Sequence, residues 1–124
     1  MLCRALLALA SAVLAGASAC SNARPVSSSA SGSAAPDGRR LYAASCAACH
    51  GADLKGTPTG PPFLDAIYRS DHHADEAFLV AARSGVRPHH WNFGPMPPVS
   101  GLTDQQVAAI VAYVRSQQQA AGIR

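Results

Sequence analysis

The sequence predicts a small all-α domain: three main helices joined by rigid loops. Apolar residues recur at helical spacing in three capped segments, no segment alternates as a half-buried strand does, and the stretches between are dense in proline and glycine. The first helix follows Pro36 and Asp37 and carries Leu41, Tyr42 and Ser45 straight into Cys46 and Cys49. The second runs from His73 or Ala74 to Ser84, with Asp75 and Glu76 in its first turn, Phe78, Ala81 and Ala82 on one face, and Gly85 just past its end. The third opens at Thr103, which forms a capping box with Gln106, and carries a stripe of Val107, Ile110, Val111 and Val114. Arg115 falls towards its end, and Gln117-Gln118-Gln119 is expected to fray near Gly122. The stretches 56–62 (GTPTGPP) and 94–98 (GPMPP) cannot be helical, because proline lacks the amide donor and restricts the residue before it.

The first 36 residues stand apart from this domain. Arg4, the apolar run Ala5 to Ala15 and Ala17-Ser18-Ala19 follow the three-part pattern of a secretory signal over residues 1–19. The apolar run falls short of the roughly 20 residues that span a bilayer. Cleavage before Cys20 suits ordinary signal peptidase, while Ala19-Cys20-Ser21 resembles a lipoprotein cleavage site, with Ala17 where leucine is usual. A lipid on Cys20 would remove an exposed thiol from an oxidising compartment. Residues 20–36, rich in serine and alanine, cannot bury a core and read as a linker. The globular part is then 37–124, a size at which an apolar core alone is marginal.

Charge selects no partner. The formal +3 includes Arg4, which leaves with the signal, and no basic run is interleaved with aromatics, so nucleic acid is not expected.

The chemistry lies in Cys46-Ala47-Ala48-Cys49-His50. A thioredoxin-like redox pair belongs beside a βαβ pattern, and this chain offers no strand. A structural zinc site needs a second closely spaced ligand pair, whereas the remaining histidines come as the adjacent doublets His72-His73 and His89-His90, which do not readily chelate one ion together. The spacing Cys-x-x-Cys-His is the attachment signature of c-type haem. On a helical turn the two thiols share one face and reach the two vinyl groups, and His50 turns its imidazole to the iron. Met96, the only methionine besides Met1, is held between Pro95 and Pro97, a restrained place for a thioether to complete the iron.

From Asp37 to about Gln119 the chain resembles a class I c-type cytochrome: Gly38 and Tyr42, CAACH, Gly60-Pro61, GPMPP, then Ile110 and Tyr113. The resemblance implies the class I cytochrome c fold around one covalent haem c. It implies Cys46 and Cys49 as thioether anchors, His50 and Met96 as axial ligands, and the carbonyl of Pro61 or Pro62 as acceptor of the His50 Nδ1 proton. Gly38 would allow the first and last helices to cross closely, with Tyr42 and Tyr113 packed at the crossing.

The stretch 89–93 (HHWNF) departs from the shortest form of that pattern. His89 or His90 could take the place of Met96, or His90, Trp91 and Arg87 could bind the haem propionates; the plainer reading packs Trp91 and Phe93 beside solvated histidines. His72 and His73 read as a solvated helix start and Lys55 as a surface charge. With both axial positions filled no site remains for substrate, so the expected role is one-electron transfer by a non-enzymatic carrier. It would be monomeric and periplasmic or held at a membrane through Cys20, docking briefly to a redox donor and acceptor. The alternative is a haem-based ligand-binding or peroxidase-like protein with a displaceable Met96.

Overall fold

A computed structural model describes residues 35–124. The expected signal segment, Cys20 and the linker as far as residue 34 lie outside the described residues.

Helix α1 spans Gly38–Ser45, and Asp37 caps it by accepting the Arg40 amide. The turn does not run unbroken into the cysteines: Cys46 departs from helical geometry at φ −124°, and a single further turn, α2, spans Ala47–His50. A short 3₁₀ turn at Ala66–Tyr68 is capped by Asp65. Helix α3 spans Asp75–Ser84 between Ala74 and Gly85. Helix α4 spans Asp104–Ala120, and the capping box forms as read, Thr103 receiving the Gln106 amide and Gln106 the Thr103 amide. Among the described residues there is no strand, only isolated bridges pairing Thr57 with Gly60 and Val86 with Met96. No described helix is long and apolar enough to cross a membrane.

The frame is the crossing of α1 and α4. A Cβ placed on Gly38 would lie 1.9 Å from the carbonyl oxygen of Ala109, so only glycine permits this approach. Tyr42 packs against Tyr113 with ring centroids 5.5 Å apart and donates its hydroxyl to the carbonyl of Gly51 at 2.7 Å. Tyr42, Leu54, Phe63, Ile110 and Val114 make the buried cluster.

The glutamine turn of α4 departs from its expected fraying. Gln118 is only 2% exposed and donates to the carbonyl of Phe63 at 2.8 Å, a buried backbone acceptor that would otherwise be unpaired. Arg115, one turn earlier, bonds Asp75 at 2.8 Å, the carbonyl of Tyr68 at 2.5 Å and the carbonyl of His73. Packing against the 63–75 segment therefore carries the helix through Ala120, where local propensity alone would let it fray. Gly38→Ala should lower unfolding stability by about 1–3 kcal/mol, the range for overpacking. Urea titration of the haem-loaded protein checks this; an unchanged midpoint would mean that the crossing can open without cost.

Candidate functional site

The helices leave a central cavity of about 1000 Å³, at the upper end of ligand-pocket volumes. Cys46, Cys49, His50, Pro61, Trp91 and Met96 all line it, so every cofactor-binding or iron-ligating residue expected from the sequence meets one space. Helix α3 explains what that space is for. It carries an apolar stripe yet buries no residue, and Val80 is 57% exposed. Phe78, Ala81 and Ala82 line the cavity, Phe78 also packing against Phe63 and Tyr68, and Val107, Ile110, Val111 and Val114 of α4 line it from the other helix. An apolar wall of this extent fits a bulky apolar group, which would supply the close contacts of a core.

His50 is buried, at 7% exposed, and its Nδ1 lies 2.9 Å from the carbonyl of Pro61. With Nδ1–H donating, the lone pair stands on Nε2, the tautomer an iron ligand needs. Burial lowers the imidazole's proton affinity, and the Pro61 bond acts against that shift. The Phe63 ring stacks on the imidazole, centroids 4.1 Å apart and planes 16° apart, which fixes its tilt. Of the two carbonyls left open by the sequence, Pro61 rather than Pro62 is the one in contact. The Pro61 loop reaches this position because Gly60 passes against the CAACH turn, where a Cβ would lie 2.6 Å from the carbonyl oxygen of Cys49. Thr57 fastens the same loop by donating its hydroxyl to that carbonyl at 2.6 Å.

The thiols form no disulfide. Burial, and then the charge of Cys49, push the Cys46 thiol up to about 11, so it stays protonated. A thiol held protonated is a poor nucleophile for disulfide exchange.

Met96 is half-buried and pairs through both backbone groups with Val86, at 2.9 and 3.0 Å. Trp91 stacks on Tyr68 with centroids 5.6 Å apart, and Arg87 also lines the cavity. His90 turns towards His72, their Nε2 atoms 3.3 Å apart. Lys55 lies at the surface beside Asp53.

Phe63, Thr57 and the Val86 bridge were not singled out in the sequence. Only the position of Phe63 directly after Pro61-Pro62 could have drawn notice.

The cytochrome c family profile matches residues 35–118, the stretch that builds this cavity. The chain belongs to the cytochrome c family. Among curated relatives, cytochrome c-551 of Bacillus subtilis is 35% identical over 78 residues, 63% of this chain and 58% of the relative. The Cbb3-type cytochrome c oxidase subunit CcoP of Rhodobacter capsulatus is 34% identical over 83 residues, 64% of this chain and 28% of the relative. The chain thus matches less than two thirds of the first relative's length and under a third of the second's. No solved structure matches significantly. Membership brings a covalently bound haem c, and the all-α architecture is that of class I cytochrome c.

Because the cavity stands where the core of this cytochrome c domain would be, the haem-free chain should not reach the packed state. Produced without haem attachment, it should keep much of its far-ultraviolet helical signal and lose its near-ultraviolet aromatic signal and cooperative melting. A haem-free chain that melts as sharply as the haem-loaded one would mean that the cavity collapses without loss.

Proposed function

We propose that this protein carries single electrons between redox proteins through one haem c ligated by His50 and Met96. The observation that carries the reading is that Cys46, Cys49, His50 and the only described methionine, Met96, line one cavity. Bound haem supplies an iron couple that takes up and releases one electron. Each thiol of Cys46 and Cys49 would add across a vinyl group, its sulfur bonding one carbon and its hydrogen passing to the other, so the cofactor cannot leave a small core. The Pro61 acceptor makes the His50 imidazole a stronger donor, while the soft thioether of Met96 favours the ferrous state and raises the potential. The apolar faces of α3 and α4 exclude water, and the braced loops limit movement between redox states. No open position is then left for a substrate, which makes the protein a carrier rather than an enzyme.

Residues 1–19 would direct export and be removed, and residues 20–36 would tether the domain to Cys20, with or without a lipid. That length of chain would let a periplasmic domain meet partners near a membrane. Docking would be weak and brief, with the domain itself monomeric. The likeness to a subunit of a cbb3-type oxidase supports a terminal oxidase as one such acceptor.

Absorption spectra of the exported protein in both redox states test the assignment. The expected result is haem that resists acid-organic extraction and a weak far-red ferric band from methionine sulfur. Met96→Ala should abolish that band and lower the midpoint potential. Covalent haem without the band in the unaltered protein, with rapid carbon monoxide binding on reduction, would overturn methionine ligation and favour the ligand-binding or peroxidase-like role.

A further inference from the structure

The histidine doublets that look unable to chelate when taken one at a time are brought together by the fold. His72 and His73 end the segment leading into α3, His89 and His90 lie in the loop that leaves it, and the helix returns one pair beside the other. Ring centroids lie 4.8 Å apart for His72 and His73, 5.1 Å for His90 with either of them, and 4.3 Å for His89 and His90. One ring nitrogen from each of His72, His73 and His90 lies within 4.8 Å of those of the other two.

We propose that His72, His73 and His90 form a surface site for a divalent transition-metal ion of the zinc and copper class, with the remaining position open to water. The 3.3 Å between the Nε2 atoms of His72 and His90 fits a shared ion. Metal–nitrogen bonds of about 2.0–2.1 Å at tetrahedral angles place two ligand nitrogens about 3.4 Å apart. The His73 ring is already oriented: its Nδ1 lies 2.7 Å from the carbonyl of Ile67, so that N–H donates there and Nε2 keeps the lone pair. An all-imidazole set selects zinc, copper or nickel over magnesium and calcium, and the acid next in sequence, Asp71, is paired with Arg69.

Such an ion would clamp the turn before α3 to the loop after it. His73 and His90 also line the central cavity, and Trp91 next to them stacks on Tyr68. The clamp therefore fastens the start of the loop that continues to Met96. It does not depend on how the haem iron is ligated.

The test uses the full, haem-loaded chain without an added histidine tag, stripped with chelator and titrated with zinc chloride by calorimetry. Copper(II) chloride is followed in parallel by electron paramagnetic resonance. The expected result is one zinc ion per chain and nitrogen splitting on the copper signal. His72→Gln and His90→Gln should each weaken zinc binding by at least about tenfold, while His89→Gln leaves it nearly unchanged. An unaltered visible spectrum shows that the variants hold their fold, which the exposure of these side chains favours. No zinc uptake at stoichiometric concentration would overturn the site. So would binding that persists in both His72→Gln and His90→Gln, since the ion would then lie elsewhere, as at the Cys20 thiol.

Discussion

The structure depends on an apolar cavity that the chain cannot fill by itself. Two helices turn hydrophobic faces into it, and no residue of α3 is fully buried by the protein's own side chains. Chemical function and folding stability are therefore coupled: a haem c seated in this cavity would also complete the core. Covalent attachment matters for this reason. A domain of this size gains little from burial beyond what chain entropy takes away, and a freely dissociating core would leave it near the threshold.

Around that cavity, two kinds of support divide the structure. The α1–α4 crossing at Gly38, with Tyr42 holding the carbonyl of Gly51, fixes the CAACH turn from behind. Loops fix it from the front, and they do so with main-chain acceptors: Pro61 for the His50 imidazole, Cys49 for the Thr57 hydroxyl, Phe63 for Gln118. A carbonyl held by prolines and packed glycines has fewer ways to move than a side chain would. The 61–63 run thus orients the imidazole, stacks on it and receives α4 within three consecutive residues.

The sequence made the helices and the cavity's chemical lining legible because both depend on local patterns. A capping box, a 3.6-residue stripe and Cys-x-x-Cys-His are each complete within a few residues. Contacts that depend on distant segments were not legible. Gln118 looked like part of a fraying polar turn, and nothing local reveals that the Phe63 carbonyl needs it. Met96 could be singled out by its rarity and its flanking prolines, but its pairing with Val86 joins residues on either side of the histidine loop. The histidine doublets show the same limit: each is unremarkable in its own segment, and only the length of α3 brings them face to face.

Met96, the iron ligand proposed above, sits in a loop rather than on a helix. A thioether is a weak donor, so its contribution as a ligand would depend on being held near the cavity more than on its intrinsic affinity. The residue gains that restraint from four sources: Pro95 and Pro97 limit the backbone, and both its amide and its carbonyl are tied to Val86. Val86 follows directly on Gly85 at the end of α3, so the restraint on Met96 is transmitted from a helix that itself packs on the cavity. If α3 loses its wall contacts, Val86 loses its fixed position, and Met96 with it. The same apolar group that completes the core would thereby hold in place the loop that presents the methionine, which couples occupancy of the cavity to the geometry of its own lining.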